Sequence, residues 1–352
     1  MAKQLMKGCE VLGEAAIKAG CRHFFGYPIT PQTEVPEYLS RRMPEVDGVY
    51  VQAESEVAAS NMIFGAAGAG VRVFTSSSSP GVSLMAEGIS YIAGAELPVV
   101  IINIVRAGPG LGGILPAQSD YFQATKGGAH GDFRIITLAP SSVQEAADLM
   151  MDAFDLADKY RNPVMVMADG MIGQMMEPVE FKERPKVDLP PKDWATTGCK
   201  DRDPNIITSL WLDAEILHEL NLRLKRKYDE VEKNEIRYEE YNCDEDHDLL
   251  IVSYGTMARI CQTTIDKLKD EGINVGLFRP ITLWPYPYEA LAKACEKAKH
   301  ILCVEMSMGQ MIEDVKLALK GSKDVAFYGT AGGIVPSPTD VREQVDKLLG
   351  KK

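Results

Sequence analysis

Short apolar runs alternate with helical patterns through the first half of the chain. Segments 24–25, 49–51, 71–74, 99–105, 134–138 and 164–167 are rich in β-branched and aromatic residues. Between them, 10–19, 33–42, 54–67, 83–93 and 141–160 carry apolar residues at helical spacing. Strands alternating with helices predict a parallel sheet covered on both faces, here a domain over about 1–180. Segment 181–204 is polar and dotted with prolines (Pro185, Pro190, Pro191, Pro204) and reads as a linker. From 205 to 254 there is neither Gly nor Pro, and Leu217, Leu224, Val231 and Tyr238 recur at seven-residue spacing, with Leu220 and Tyr228 beside them. That pattern predicts a long amphipathic helix with a narrow apolar stripe. Periodicity alone does not choose between a helix laid across a neighbour and one packed on its own domain. A second alternation begins near 247, with strands at 249–252, 275–278, 301–304 and 325–327 and a rigid turn around Pro280, Pro285 and Pro287. The expected architecture is therefore α/β. Two doubly wound parallel-sheet domains, 1–180 and 247–352, are joined by a linker and long helix over 181–246. No internal repeat or low-complexity tract interrupts it.

Composition narrows the function classes. At 352 residues, 45% hydrophobic and 25% charged, the chain suits two ordinary globular domains. A net charge of −12 argues against a nucleic-acid partner. The first residues carry no apolar core of signal-peptide length, and the longest apolar run, 99–105 broken by Asn103, is too short to span a bilayer. A cytoplasmic protein with no membrane association is expected. Seven cysteines without a C-x-x-C pair read as reduced thiols, with no iron–sulfur or zinc ligand set in the sequence.

Two motifs stand out chemically. Gly26-Tyr27-Pro28-Ile29-Thr30-Pro31 is a tight β-to-α turn carrying a lone threonine hydroxyl between prolines. About one helix later, Glu54 and Glu56 stand at the head of a helix whose next turns are apolar (Ala58, Ala59, Met62, Ile63, Phe64). A carboxyl sunk into such a face must find a polar partner or a proton, because burying a bare charge costs several kcal/mol. Such a group can hydrogen-bond a nitrogen heterocycle. Gly108-Pro109-Gly110-Leu111-Gly112-Gly113 matches G-x-G-x-x-G after a strand, but Pro109 and Pro116 oppose the helix a dinucleotide site requires. It reads instead as an active-site loop orienting Arg106. The run Thr75–Gly81, with four serines, is either an anion-attracting corner or a hydroxyl-rich helix cap, the cap being the simpler reading. Segment 118–121 and the loop residue His130 add polar groups to the same rim. No G-x-S-x-G elbow exists and the five histidines lack metal-ligand spacing, so hydrolase and metalloenzyme readings have no support.

Read together, GYPITPQTEVPEYLSRRMPEV, QAESEVAASNMIFGAAGAG, TSSSSPG, GISYIAGAELP, RAGPGLGG, DYFQATKGGAHGDFR and ADGMIGQMMEPVE resemble the 2-oxoacid:ferredoxin oxidoreductases. The likeness covers 8–328 and is to the α-type, thiamine-pyrimidine-binding subunit, with wording most similar to the branched-chain (2-oxoisovalerate) enzymes. The resemblance implies a thiamine-diphosphate pyrimidine-binding domain over 1–180 and a transketolase C-terminal-like domain over 247–352. It also implies thiamine diphosphate as cofactor, with Glu56 hydrogen-bonding the aminopyrimidine ring nitrogen and Tyr27, Pro28, Ile29 and Thr30 beside it. Glu54 is the rival, but the family's glutamate directly precedes an x-Ala-Ala helix turn, as Glu56 does. Thr30 and Arg106 would hold the substrate's carboxylate and keto oxygen. The implied reaction is oxidative decarboxylation of a 2-oxoacid to its acyl-CoA, with electrons passed to ferredoxin. The family's G-D-G…Asn diphosphate motif is missing, Ala168-Asp169-Gly170 being the nearest approach. Mg²⁺ and 4Fe-4S clusters are therefore expected on partner subunits (β-type, γ and ferredoxin-like), with activity only in their company. Two alternatives stay open. One is the 2-oxoglutarate enzyme, for which Lys126, Arg134 or Arg72 could meet a distal carboxylate; the other is a non-catalytic assembly subunit.

Overall fold

The computed structural model describes residues 3–185 and 187–351. The first unit contributes strands β1 (Gln4–Lys7), β2 (His23–Gly26), β3 (Val49–Gln52), β4 (Val73–Ser77), β5 (Val99–Val105), β6 (Ile136–Leu138), β7 (Pro163–Asp169) and β8 (Met176–Val179). The second contributes β9 (Tyr238–Tyr241), β10 (His247–Val252), β11 (Val275–Pro280), β12 (Thr282–Trp284), β13 (Ala298–Glu305) and β14 (Val325–Gly329). In space the first sheet runs β12-β6-β7-β5-β4-β2-β3 and the second β14-β13-β10-β11-β9, while β1 and β8 form a small antiparallel pair.

Strand β5 is buried along its whole length because both faces of the sheet are covered. Val100, Ile102 and Ile104 pack in a core with the helices Gly8–Lys18 and Val143–Tyr160. Val99, Ile101 and Val105 face the opposite way, in the core that includes Glu56–Gly68 and Pro80–Gly94. Asn103 shares that second face by the two-residue strand period. After β2 the chain goes to β3 on one side and then returns to β4 on the other, so the carboxyl ends of β2 and β4 mark a topological switch point. That crevice is where the candidate residues gather.

Each large sheet is parallel except for one antiparallel edge strand, which the alternation did not predict. β9 lies inside the stretch read as linker and helix, yet it pairs with β11. β12 lies in the proline-marked turn, yet it crosses back to pair with β6 of the first sheet. Both are three or four residues long and sit at an edge, where a short run, flanked by prolines in the case of β12, is tolerated and leaves little periodic signal. The long helix is Ala214–Asn234, capped by the Asp213 side chain. It packs on its own chain: Leu220, Leu224, Tyr228 and Val231 are buried in the first unit's core, while Leu217 is exposed and Tyr238 lies on β9. The buried stripe therefore follows the three-and-four spacing of a core-facing helix, not a strict heptad. No helix among the described residues is long and apolar enough to cross a membrane.

Candidate active site

The turn after β2 is pinned from several sides. The Gln32 side chain, fully buried, donates to the Tyr27 carbonyl (3.1 Å) and accepts from the Ser76 hydroxyl (2.6 Å). The Gln174 side chain donates to the Pro31 carbonyl at 2.8 Å, and the Ala53 amide to the Gly26 carbonyl at 2.9 Å. Tyr27, Pro28 and Ile29 are half-buried in this frame and Thr30 is exposed at its tip.

Glu56 is the first residue of its helix and Ser55 is the N-cap, its hydroxyl accepting from the Ala58 amide at 3.1 Å. Glu56 is only 5% exposed, on the face with Ala59 and Ile63, whereas Glu54 lies before the cap and is exposed. No described residue donates a hydrogen bond to the Glu56 carboxylate. Its Oε1 reaches the start of the next helix, where Gly81 is obligatory: a Cβ there would stand 2.6 Å from Glu56 Oε1 and 2.1 Å from Ser77 Oγ. The buried hydroxyls of Thr75, Ser77 and Ser78 likewise lack hydrogen-bond partners among the described residues. The hydroxyl-rich run is thus not a helix cap. Ser79, at the cap position, makes no side-chain cap bond, and its hydroxyl turns to Arg106.

Arg106, at the end of β5, is 6% exposed. Its Nη1 donates to the Thr30 carbonyl (2.9 Å) and its Nη2 to the Leu111 carbonyl (3.0 Å), while Nε is buried without a partner. The loop 108–113 opens no helix and folds over the guanidinium, as expected of an orienting loop. Gly112 there has φ +59° and would drive a Cβ to 2.0 Å from the Ala107 carbonyl, so only glycine serves. Glu56 and Arg106 therefore flank one turn, Ser77–Gly81: the carboxylate abuts Gly81 and the arginine main chain abuts Ser79.

A cleft of about 630 Å³ opens from this turn toward the second unit, walled by Ser79, Gly108, Asp120, Ser307, Met308 and Gln310. Its lining includes no lysine, arginine or histidine among the described residues. Burial pushes the Asp120 carboxyl up, opposed by the Ser79 hydroxyl, the Asn103 amide and the Arg106 charge. The three cations considered for a distal carboxylate are elsewhere. Arg72 pairs with Asp155 (2.6 Å) and Asp158 (2.8 Å), Lys126 pairs with buried Asp314, and Arg134 lines a separate cleft with His218. His130 is exposed, its ring edge-on to Tyr91, and the structure does not bring it to Glu56.

Asp169 is fully committed. It accepts from the Met171 and Ile172 amides (3.1 and 3.2 Å) and from the Thr256 hydroxyl and amide (2.6 and 3.0 Å). Burial pushes its carboxyl up against those bonds. It joins β7 to the helix Gly255–Asp270, with three of these bonds on Oδ1 and one on Oδ2. Among the described residues no group of three or more His, Cys, Asp or Glu could hold a metal ion. The residues present thus fit the heterocyclic end of thiamine diphosphate, through Glu56 and the unpartnered hydroxyls, and do not fit its Mg²⁺-diphosphate end. Sequence reasoning missed Gln32, Ser79 and Asn103. Only Asn103 left a signal, as the single polar residue in an otherwise apolar strand.

Residues 14–239 match the family "Pyruvate flavodoxin/ferredoxin oxidoreductase, thiamine diP-bdg", and 247–341 match "Pyruvate:ferredoxin oxidoreductase core domain II". The chain is 49% identical to ketoisovalerate oxidoreductase subunit VorB of Methanothermobacter marburgensis, over 100% of this chain and 99% of the relative. It is 35% identical to 2-oxoglutarate synthase subunit KorA of Methanocaldococcus jannaschii, over 98% of this chain and 100% of that one. Among solved structures, a 2-oxoglutarate:ferredoxin oxidoreductase from Magnetococcus marinus, with 2-oxoglutarate, coenzyme A and succinyl-CoA bound, superposes with a TM-score of 0.84 at 26% identity. That match covers 99% of this chain but 65% of the other, whose remainder has no counterpart here. A split-gene transketolase, at 14% identity and a TM-score of 0.61, shares the fold. This chain belongs to the thiamine-diphosphate-binding pyruvate flavodoxin/ferredoxin oxidoreductase family.

Proposed function

We propose that this chain is the pyrimidine-binding subunit of a cytoplasmic enzyme that oxidatively decarboxylates branched-chain 2-oxoacids to their acyl-CoA thioesters and passes the electrons to ferredoxin. The observation that carries the reading is a buried Glu56 carboxylate with no hydrogen-bond donor among the described residues, set on one side of a turn whose other side holds Arg106. Thiamine diphosphate, when bound, supplies the electron sink for decarboxylation. Glu56 holds the ring nitrogen and shares a proton with it, and its burial excludes the water that would compete for that bond. Arg106 has five N–H groups, of which two are taken by main-chain carbonyls. The other three, among them the buried Nε that has no partner among the described residues, suit a planar carboxylate. Partner subunits of the β, γ and ferredoxin-like types would bring Mg²⁺, the diphosphate site and the 4Fe-4S clusters, and coenzyme A would take the acyl group.

The substrate side chain is read as uncharged because none of the described residues lining the cleft is a cation and because the named ketoisovalerate relative is the more similar, at 49% against 35%. Coexpression with the partner subunits and a panel of 2-oxoacids tests this. The highest kcat/KM is expected for 2-oxoisovalerate and its branched relatives. Pyruvate and straight-chain acids should overlap, since an apolar pocket resolves a methylene by only ~1–3 kcal/mol. A strong preference for 2-oxoglutarate would overturn the substrate assignment.

A further inference from the structure

Ser79 adopts φ +22° and ψ −81°, a conformation a serine rarely takes and one that persists only when its surroundings over-determine it. Its surroundings do so through three groups. The Ser79 amide donates to Asn103 Oδ1 at 3.1 Å. The Ser79 hydroxyl accepts from the Arg106 amide at 3.0 Å and reaches the Arg106 carbonyl at 3.3 Å. Asn103 in turn donates through Nδ2 to Asp120 Oδ2 at 3.0 Å. All four residues are buried.

The direction of this chain of bonds is fixed by chemistry. A carboxylate only accepts and a main-chain amide only donates, so Asn103 must turn its NH₂ to Asp120 and its oxygen to Ser79. The Ser79 N–H and the Asp120 carboxylate demand the same orientation of the Asn103 amide; without Asp120 the Asn103 NH₂ loses its anchor and only the Ser79 N–H holds the side chain in place. Asp120 thereby anchors the Asn103 rotamer that holds Ser79, and Ser79 holds both main-chain polar groups of Arg106.

We infer that Asp120 and Asn103 are positioning residues for Arg106, acting through the Ser79 turn to aim its guanidinium across Thr30. The inference rests on the proposed reading of Arg106 as the group that meets the 2-oxoacid carboxylate. A guanidinium displaced by about an ångström loses on the order of 100-fold in productive geometry, so the brace is expected to show in substrate capture.

The test uses the full chain for exchange and the assembled complex for kinetics, with Asp120→Ala, Asp120→Asn and Ser79→Ala. In the chain, Asp120→Ala and Ser79→Ala should each speed hydrogen exchange of the Arg106 amide about 10-fold or more, with an unchanged circular-dichroism spectrum. In the complex both should raise KM for the 2-oxoacid, lowering kcat/KM by about 10- to 100-fold, with thiamine diphosphate affinity held within about two-fold. The double variant should be little worse than the worse single one, since both cut one chain of bonds. Asp120→Asn keeps an acceptor for Asn103 and should retain most of the wild-type kcat/KM. Unchanged Arg106 exchange in a folded Asp120→Ala chain would overturn the brace. So would an Asp120→Asn variant as damaged as Asp120→Ala, or a loss confined to kcat, either of which would place Asp120 at the reacting atoms. If the wild-type complex turns over no 2-oxoacid, the functional reading fails, while the exchange measurement still decides whether the brace exists.

Discussion

Glu56 and Glu54 differ by two positions, and the helix start separates them completely. Spacing suggests two carboxylates on different faces of one helix; in the structure Glu54 lies outside the helix, before the Ser55 cap. Only Glu56 is drawn inward. Glu56→Gln in the assembled complex is expected to slow exchange of the cofactor's C2 proton by about 100-fold or more, and Glu54→Gln to leave it near the wild-type rate. Nuclear magnetic resonance of the quenched cofactor reads that step apart from electron transfer; a stalled Glu54→Gln would reverse the assignment. Gly81→Ala offers a second residue-scale test. Alanine favours a helix over glycine by about 1 kcal/mol, but its Cβ would stand 2.1 Å from the buried Ser77 Oγ, so the melting temperature should fall. The same Cβ would stand 2.6 Å from Glu56 Oε1, and turnover of the folded variant should fall by about 10-fold or more as the carboxylate is displaced. The turn after β2 and the Glu56 helix were legible in the sequence because each is a local pattern: prolines in a turn, an acid heading an apolar helix. Ser79, Asn103 and Gln32 were not. Their partners lie on other strands and loops, and no spacing along the chain encodes which serine of four turns toward an arginine.

At the level of elements, the helix Ala214–Asn234 shows what periodicity can and cannot say. Its existence was plain from 205–254, but a heptad and a three-and-four stripe share Leu224 and Val231, and only packing separates them. Leu224 is 3% exposed and Leu217 40%. Leu224→Ala should therefore cost about 2–4 kcal/mol in urea unfolding and Leu217→Ala less than about 1. Equal losses would mean that the helix packs elsewhere. The same helix carries Lys227, whose ammonium donates to the Arg161 carbonyl at 3.1 Å and faces Glu96 at 3.4 Å. Burial lowers its pKa to about 8, with Glu96 acting against the shift and the Arg161 and Arg223 charges adding to it. Between that value and its ordinary one near 10.5, the unfolded chain binds the proton more tightly than the folded chain. The destabilisation is thus fully present below pH 8 and relieved as pH rises through that window. Stability from Lys227 should grow between about pH 8 and 10, and Lys227→Met should flatten that slope in a pH series of urea midpoints. The edge strands β9 and β12 mark the opposite limit. At three or four residues each, they are decided by what lies beside them.

Across the whole molecule, the two units are joined through buried polar groups rather than a flexible tether. Gln118 donates to the Tyr254 carbonyl (2.8 Å) and accepts from the Met306 amide (2.9 Å). Tyr121 donates to Asp314 at 2.5 Å, and Asp169 binds Thr256. Alternating strands and helices made the two sheets readable, whereas this junction is built from residues 87 to 193 positions apart. On this frame the Glu56 carboxylate is buried and takes no hydrogen bond from any described residue, while Asp169, the one acid in a G-D-G-like setting, is engaged in joining the units. With no helix opening after 108–113, the assembled enzyme should reduce ferredoxin or viologen dyes and not NAD⁺, and robust NAD⁺ reduction would contradict the family reading. The central claim is that this chain supplies the pyrimidine end of a shared site. It is tested most directly by calorimetric titration of thiamine diphosphate with Mg²⁺ into the isolated chain and into the complex with its partner subunits. The account predicts tight, Mg²⁺-dependent binding at one site per copy of this chain in the complex, and weak or no binding to the chain alone. Tight Mg²⁺-dependent binding by the isolated chain would contradict it.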